Sequence, residues 1–328
     1  MAQPVKRIAV LTSGGDSPGM NAAVRAVYRA CMNRKIECLG IFRGWNGLIN
    51  GDVRRLTRQD VSHIISRGGT VLYSARSPEF KTEAGQQKAV NTCKLFGIDG
   101  IVAIGGDGTF RGALALSKHG ISVVGIPGTI DNDIASTAYT IGFDTAANTA
   151  VECIDKLRDT MQAHERCSVV EVMGRDAGHL AVYVGLATGA TAVLIPEIPI
   201  DFEKDVIEKI RNARLNGLTH YMIVVAEGAG NVMEVAEKIK EGTGLDPRVT
   251  VLGHVQRGGS PTARDRVTAT RMGYYAVKIL SEGKTNRIVC IREGGTGDVD
   301  IEEALAMHKG VNQLDLDTLE AMTGITTI

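Results

Sequence analysis

The 328-residue sequence lacks the features that mark several classes of protein. No apolar run approaches the roughly 20 residues of a membrane helix, so we expect no membrane partner. The 37 basic and 37 acidic residues leave a formal net charge of 0, and this balance disfavours nucleic acid as a partner. Hydrophobic residues make up 44% of the chain and aromatic residues only 4%. This composition excludes disordered, collagen-like and fibrous proteins.

The cysteines show no C-x-x-C pair and no metal-ligand spacing. We expect all six to be reduced core residues: Cys31, Cys38, Cys93, Cys153, Cys167 and Cys290. The first residues lead directly into a strand-like segment without an apolar signal region. We therefore expect a cytoplasmic protein.

Short apolar runs rich in β-branched residues alternate with longer amphipathic stretches along almost the whole chain. This alternation is typical of βαβ units around a mostly parallel sheet. We predict an α/β fold with two doubly wound, Rossmann-like lobes. The predicted strands form a first group at 7–12, 37–42, 100–104 and 123–126, and a second group at 168–173, 192–195, 221–226 and 288–291.

Helical spacing is clearest after Asp144, where Val151, Ile154, Leu157 and Met161 recur on one predicted face. We expect this helix to connect the two lobes, with the boundary near its start. The predicted lobes are 1–143, which also receives part of 256–305, and 144–255, which also receives 306–328.

A glycine-rich loop follows the first predicted strand and precedes a helix; we call residues 13–19 loop 1. Consecutive glycines expose backbone N–H groups, and a helix N-terminus adds partial positive charge. A phosphate is therefore the expected ligand. The loop matches neither G-x-G-x-x-G nor the Walker A pattern, and taken alone it could be a plain strand-to-helix turn.

A second loop, residues 105–109 or loop 2, follows the predicted strand at 100–104 and carries Asp107 among glycines. A carboxylate beside bound phosphates suits Mg²⁺, which prefers oxygen ligands. The alternative reading of Asp107 is a helix N-cap worth about 1 kcal/mol.

A third loop, residues 127–133 or loop 3, places Asp131 and Asp133 two positions apart. We expect loops 1 to 3 to emerge at one carboxyl edge of a sheet, where open α/β sheets bind ligands. One carboxylate could then act as a base while the other positions metal or water. The alternative is a pair of solvated turn residues.

Basic side chains follow in the second half of the chain, near further glycine turns. Guanidinium groups bind phosphate bidentately and keep their charge, so several of them indicate phosphorylated ligands. Each alone could be a surface ion pair worth under about 1 kcal/mol. The candidates are Arg166, Arg175, Arg248, His254 and Arg257.

Seven segments, LTSGGDSPGMNAA, SARSPEF, IGGDGT, PGTIDND, EVMGRDAGH, VAEG and VLGHVQRGGSPTARDR, occur in the order and approximate spacing of a known family. Together they resemble the bacterial ATP-dependent 6-phosphofructokinases, from Lys6 to about Arg292. The resemblance implies phosphoryl transfer from MgATP to the 1-hydroxyl of fructose 6-phosphate, at an active site in the cleft between two lobes.

The resemblance also implies residue roles. Asp131 matches the general base, Thr129 and Asp133 flank it, and Asp107 matches the magnesium-associated carboxylate. Arg76 and Arg175 match groups that offset charge on the transferring phosphoryl group. The implied ATP-binding residues are Gly15, Arg76, Ser77, Gly106, Asp107, Gly108 and Thr109.

For the sugar phosphate, the resemblance implies contacts from several turns, two of them supplied by a neighbouring subunit of a homotetramer. The neighbour would contribute Arg166 and Arg248. The remaining implied contacts are Thr129, Asp131, Asp133, Met173, Gly174, Arg175, Glu227, His254 and Arg257.

Two glycines bear on the phosphoryl donor. Pyrophosphate-dependent relatives usually carry Asp where Gly108 stands and Lys where Gly128 stands, so we interpret glycine at both positions as room for a nucleotide. ATP is the expected donor and pyrophosphate the alternative. A non-catalytic nucleotide-binding regulator is a further alternative, although Asp107 and Asp131 are both present, and a lipid or NAD kinase would share only the GGDGT loop.

The family's effector site binds ADP or phosphoenolpyruvate, and four residues match its basic lining: Arg25, Arg29, Arg58 and Arg158. The sequence departs from the family pattern at Thr191, where an acidic residue is usual, and at 216–220, where a lysine-rich turn is usual. We expect weakened or altered control by these effectors.

Overall fold

The computed structural model describes residues 5–323. Within them the strands are β1 (Arg7–Thr12), β2 (Glu37–Ile41), β3 (Val53–Arg55), β4 (Gly100–Gly105), β5 (Ser122–Thr129), β6 (Ile141–Gly142), β7 (Cys167–Val172), β8 (Ala192–Leu194), β9 (Tyr221–Ala226), β10 (Arg248–Val251), β11 (Arg287–Arg292) and β12 (Gly295–Asp300).

The α-helices of the same residues are α1 (Met20–Asn33), α2 (Gly44–Asn50), α3 (Glu83–Phe96), α4 (Asp107–Lys118), α5 (Phe143–Ala163), α6 (His179–Thr188), α7 (Lys209–Leu215), α8 (Val232–Thr243), α9 (Ala263–Ser281), α10 (Ile301–Ala306) and α11 (Gln313–Thr323). None of the described helices is long and apolar enough to span a membrane.

The described chain forms two compact units, each with its own sheet. The first unit contains the described residues up to Ile130, with Ile134–Thr145 and Arg257–Lys309. The second contains Asp131–Asp133, Ala146–Gln256 and the described residues from Gly310 onward. Apart from Asp131–Asp133, the chain therefore passes from the first unit to the second within α5, returns after Gln256 and enters the second unit again after Lys309.

The first unit has an eight-stranded sheet in the order β12-β11-β5-β4-β1-β2-β3, with β6 paired to β5 beside this path. The pairs β2–β3 and β11–β12 are antiparallel and the others are parallel. The central strands are fully buried apolar runs, as expected of a parallel sheet covered on both faces.

The predicted strand at 288–291, the last of the second group along the chain, corresponds to β11. The strand pairs with β5 in the first sheet. An apolar β-branched run predicts burial in some sheet, whereas the choice of sheet depends on α9, which brings the chain back to the first unit.

Helices α1 and α9 pack closely on the first sheet. A Cβ at Gly273 of α9 would lie 2.7 Å from the Cβ of Ala26 in α1, so this crossing requires glycine. Thr262 caps α9, with its hydroxyl accepting a hydrogen bond from the Asp265 N–H at 3.3 Å.

The second unit has a four-stranded, wholly parallel sheet in the order β10-β7-β9-β8. β10 was not predicted from the sequence; it is only four residues long and none of them is buried, two being exposed and two half-buried. α5 begins at Phe143, one residue before the start of the predicted periodicity, and Ile154 and Met161 of its apolar face are buried.

Candidate active site

Loops 1 to 3 follow three neighbouring parallel strands of the first unit, β1, β4 and β5. Thr12 pairs with Ile104, and Gly105 pairs with Pro127, so the strands end at nearly the same level. The three loops therefore emerge side by side at one carboxyl edge of the sheet, as the sequence predicts.

Loops 1 and 2 are in direct contact. The Ser13 N–H donates to the Ile104 carbonyl at 3.0 Å, and the Thr109 hydroxyl donates to the Ser13 carbonyl at 3.0 Å. A Cβ at Gly105 would overlap the Ser13 carbonyl oxygen, so only glycine fits there. The side chain of Thr109, an expected ATP contact, is buried and joins the two loops.

Asp107 and Gly108 form the first turn of α4. Asp107 is half-buried, and among the described residues it makes no side-chain hydrogen bond or ion pair. A Cβ at Gly108 would have no neighbour within 4 Å, so this glycine faces open space. The N-terminus of α4 thus presents a carboxylate beside an uncovered backbone, which suits a phosphate with its cation.

Gly128 has a different role from the one expected. A Cβ there would lie 3.2 Å from Cγ2 of Ile104, 3.4 Å from Cε of Met20 and 3.6 Å from Oγ of Ser17. The interpretation of Gly128 as room for a nucleotide is therefore wrong, because the space belongs to packed protein side chains. At Gly108 the same interpretation agrees with the structure.

Loop 3 leaves β5 at Thr129 and turns sharply between its two acidic residues. Asn132 has a φ of +51°, a left-handed conformation that asparagine tolerates better than most residues. Asp131 and Asp133 are half-buried on either side of it. Just before the turn, the Thr140 hydroxyl donates to the Thr129 carbonyl at 2.7 Å.

The segment that carries Arg76 and Ser77 is held by a buried asparagine that sequence reasoning missed. The Asn21 side-chain amide donates to the carbonyls of Arg67 and Gly68, and its oxygen accepts from the Val71 N–H at 2.8 Å. An asparagine among the apolar residues of an amphipathic helix was the available signal.

Arg76 itself is exposed and Ser77 is half-buried. They follow a backbone anchored to β1, because the Thr12 hydroxyl donates to the Tyr73 carbonyl at 2.8 Å. Ser74 also donates its hydroxyl to the Gly14 carbonyl in loop 1. These bonds bring the SARSPEF segment beside loop 1.

In the second unit, the turn after β7 is shaped by Glu227. One carboxylate oxygen of Glu227 accepts the N–H groups of Gly174 at 3.2 Å and Arg175 at 2.5 Å. Both turn residues have positive φ, +144° and +58°. Glu227 therefore fixes the backbone of the expected sugar-phosphate turn.

A buried glutamine also contacts this turn. The Met173 N–H donates to Oε1 of Gln256 at 3.4 Å, and Gln256 is fully buried. Its side-chain amide donates to the Gly253 carbonyl at 3.1 Å, at the start of the short 3₁₀ helix Gly253–Arg257 that carries the exposed His254. Gln256 thus joins the His254 turn to the Met173 turn.

Glu171 lies two residues before Met173 on β7. Burial raises the pKa of its carboxyl group, and the negative charge of Glu227 raises that pKa further. The charge of Glu227 thus acts on Glu171 near the carboxyl end of the second sheet.

Arg166 and Arg248 lie at the opposite end of that sheet. Arg248 begins β10 and pairs with Ser168, whereas Met173 follows the last residue of β7. Five residues of strand separate Ser168 from Met173, a distance of roughly 17 Å. Within the described chain these two arginines are therefore not brought to the turn that contains Gly174 and Arg175.

Arg257 belongs to the first unit and contacts loop 1. Its guanidinium lies against Gly15, and its Nε is buried with no hydrogen-bond partner among the described residues. Four other expected sugar-phosphate contacts follow strands of the second sheet and belong to the second unit. They are Met173, Gly174, Arg175 and Glu227.

The expected effector residues lie on separate elements. Arg25 and Arg29 are one turn apart on α1, and Arg58 follows β3. In the second unit, Arg158 of α5 donates to the Thr188 carbonyl. Thr191 forms a two-way pair with the Met222 backbone, its N–H donating at 2.7 Å and its hydroxyl accepting at 3.2 Å, so this threonine has a structural role.

Comparisons with known proteins agree on one family. A family model described as phosphofructokinase matches residues 7–280. The ATP-dependent 6-phosphofructokinase of Clostridium acetobutylicum is 54% identical over 309 residues, which are 94% of this chain and 97% of that protein.

Two solved structures share the fold. Phosphofructokinase from Saccharomyces cerevisiae has a TM-score of 0.87 and 35% identity over 97% of this chain, which spans about half of the yeast chain (47%). A pyrophosphate-dependent phosphofructokinase from Marinobacter aquaeolei has a TM-score of 0.83 at 22% identity, over 99% of this chain and 93% of that one.

Proposed function

Because the chain belongs to the phosphofructokinase family, we propose that it is an ATP-dependent 6-phosphofructokinase. It transfers the γ-phosphoryl group of ATP to the 1-hydroxyl of fructose 6-phosphate, giving fructose 1,6-bisphosphate and ADP. The observation that carries this proposal is the alignment of two glycine loops and the acidic loop 3 at one edge of the first sheet. The 54% identity to a relative with that name, over almost its whole length, supports ATP as the donor.

Asp131 is the proposed general base. It accepts the proton of the sugar 1-hydroxyl as that oxygen forms its bond to the γ-phosphorus and the bond to the β-phosphate oxygen breaks. Thr129 and Asp133 flank it and orient the sugar. Such transfer depends mainly on positioning and electrostatics, so the sharp turn at Asn132 contributes by fixing Asp131.

The donor phosphates bind to the exposed backbone of loops 1 and 2. Gly15, Gly106 and Gly108 allow the phosphates to approach the main chain, and Arg76 with Ser77 contacts them from the adjoining segment. Arg76 and Arg175 offset the negative charge that is shared between donor and acceptor in the transition state.

Asp107 fits a magnesium site of the kind that nucleotide phosphates complete. No cluster of three or more acidic, histidine or cysteine side chains in the described residues could hold a metal alone. Magnesium usually binds through one or two carboxylates together with substrate phosphates and waters. When bound, magnesium would supply charge neutralisation at the phosphates, and Asp107 would hold it at the N-terminus of α4.

We propose that the sugar 6-phosphate binds at the carboxyl end of the second sheet, through the Met173–Arg175 turn, Glu227 and His254. Arg257 is a further proposed contact. Arg166 and Arg248 lie at the far end of their strands. We propose that these two arginines complete the corresponding site of a neighbouring chain in a homotetramer, as the family resemblance implies.

Effector control is proposed to be weak. Arg25, Arg29, Arg58 and Arg158 supply positive charge for ADP or phosphoenolpyruvate, but Thr191 is engaged with backbone and adds no acidic group. Saturation curves for fructose 6-phosphate should therefore move little with either effector. A strong shift at micromolar effector would contradict this proposal.

The function is tested by measuring magnesium-dependent fructose 1,6-bisphosphate formation from fructose 6-phosphate, with ATP and pyrophosphate as rival donors. Product with ATP supports the proposal. Product mainly with pyrophosphate would reverse the donor assignment. Absence of product with both donors, in a protein that still binds ATP, would favour a nucleotide-binding regulator.

A further inference from the structure

Asp265 is a fully buried carboxylate in the first unit that the proposed reaction does not use. Its Oδ1 accepts the Tyr139 hydroxyl at 2.7 Å and the Gly142 N–H at 2.7 Å. Its Oδ2 accepts the Thr145 N–H at 2.9 Å and the Thr145 hydroxyl. Four donors therefore converge on one side chain.

These donors all belong to residues 139–145, the segment that contains β6. Gly128 and Thr129, the last residues of β5, pair with Ile141 and Gly142 of β6. Asp131 follows Thr129 after a single residue. The carboxylate of Asp265 therefore holds the strand that supports the start of loop 3.

The same strand also contacts loop 1. The Ser17 hydroxyl donates to the Ile141 carbonyl at 3.0 Å, and a Cβ at Gly142 would lie 2.6 Å from the Cβ of Ser17. A Cβ at Gly19 would lie 2.6 Å from Cγ2 of Ile141 and 3.5 Å from the Cβ of Asp265. β6 thus contacts both loop 1 and Asp265.

Burying a carboxylate in a protein core costs desolvation free energy. Burial raises the pKa of Asp265, and the hydrogen bonds from Thr145, Gly142 and Tyr139 oppose that rise. Among the described residues Asp265 has no ion-pair partner, so these hydrogen bonds alone offset its desolvation. An apolar side chain would leave the converging donors unpaired, and each buried unpaired group is destabilising.

We propose that Asp265 is a positioning residue for the phosphoryl transfer, holding loop 3 at a fixed register from loop 1 through β6. This inference rests on the proposed function, in which loop 1 binds the donor phosphates and loop 3 supplies the base. Loss of Asp265 lets the base move while the donor loop stays formed. A misplacement of about 1 Å can lower turnover on the order of 10²-fold.

The chain contains a matched control in the same unit. The Tyr275 hydroxyl donates at 2.8 Å to Asp298, whose side chain is only 6% exposed. Asp298 lies on β12 and is paired with Arg287 and Lys284. Tyr139→Phe and Tyr275→Phe each remove one tyrosine hydroxyl that donates a hydrogen bond to a buried carboxylate. Only Tyr139 belongs to the segment beside loop 3.

The experiment compares Asp265→Asn with Asp298→Asn, and Tyr139→Phe with Tyr275→Phe. For each pair we would measure kcat, both KM values, the unfolding midpoint, and amide exchange of peptides covering 128–145 by mass spectrometry. In Asp265→Asn we expect kcat to fall about tenfold or more, while KM for ATP stays within about threefold of the parent value. In Tyr139→Phe we expect kcat to fall severalfold. Amide exchange of 128–145 should rise in these two variants only.

Two results would overturn the proposal. One is an equal loss of kcat in the two members of each pair. The other is a kcat within about twofold of the parent in Asp265→Asn and Tyr139→Phe while both variants are fully folded. If Asp265→Asn does not fold, the Tyr139→Phe and Tyr275→Phe comparison decides. If the parent protein has no kinase activity, the proposed function fails, and unchanged amide exchange at 128–145 in Asp265→Asn would separately refute the positioning role.

Discussion

Nη1 of Arg257 lies 2.9 Å from the position that a Cβ on Gly15 would take. The two residues are more than 240 positions apart in sequence, and both lie in the first unit. Gly15 is not in the left-handed region, so the constraint on its side chain comes from the guanidinium and not from its backbone. This contact connects the donor loop with a residue expected to bind the sugar phosphate.

Gly15→Ala should therefore act through Arg257. The guanidinium is the end of a flexible side chain and can move away, so we expect the unfolding midpoint to change by no more than about 2 °C. The displaced charge should raise KM for fructose 6-phosphate by about fivefold or more.

A double-mutant cycle checks this mechanism. In an Arg257→Ala background, Gly15→Ala should add little further loss, because the group that it displaces is absent. Simple additivity of the two effects would show that the new methyl group disturbs the site in another way.

Asp131→Asn removes the proposed base and retains the shape of the side chain. We expect kcat to fall on the order of 10²-fold or more while both KM values stay broadly intact. Steady-state kinetics with ATP as donor measures both quantities. Near-normal turnover would remove Asp131 from the role of base.

Gly128→Ala and Gly108→Ala should have different effects on stability. The new methyl group at position 128 meets Ile104 and Met20, and this overpacking should destabilise the protein by about 1–3 kcal/mol. At position 108 it enters open space in a helix, so the change should be neutral or stabilising by up to about 1 kcal/mol. Urea unfolding of the two variants measures the difference, and equal effects would contradict our interpretation of the two glycines.

The pKa of Glu171 is raised by burial and by the charge of Glu227. At pH values between the ordinary pKa of glutamate and this raised pKa, the folded chain binds more protons than the unfolded chain. The contribution of Glu171 to stability is therefore present at low pH and is lost as the pH rises through its folded pKa.

Glu171→Gln should remove this dependence. As the pH is raised from about 4 toward about 8, the unfolding midpoint of the parent should fall relative to that of the variant. Glu227→Gln should reduce the same slope by removing the neighbouring charge. Parallel midpoint curves for the parent and Glu171→Gln would contradict the prediction.

The sequence predicts β1, β4 and β5 and the loops that follow them, because a buried parallel strand is an apolar run and a phosphate loop contains glycines. Both signals are local. The two-residue strand β6 and the four-residue strand β10, which has no buried residue, lack such a signal and depend on pairing with distant strands.

The site residues divide in the same way. Asp107 and Asp131 stand inside motifs, whereas the roles of Asp265 and Gln256 depend on contacts with segments more than 80 positions away. Gly128 shows the opposite error. Glycine at this position was interpreted as room for a nucleotide, but only the packing of Met20 and Ile104 reveals what fills the space.

The first unit is assembled from stretches of chain that lie on both sides of the second unit in sequence. During synthesis, residues 257–309 leave the ribosome after nearly all of the second unit. Until then α1 lacks the α9 face that it packs against, and β5 lacks β11 on its edge. The nascent chain therefore carries apolar surface and an unpaired strand edge for most of its synthesis, a state that favours aggregation and chaperone binding.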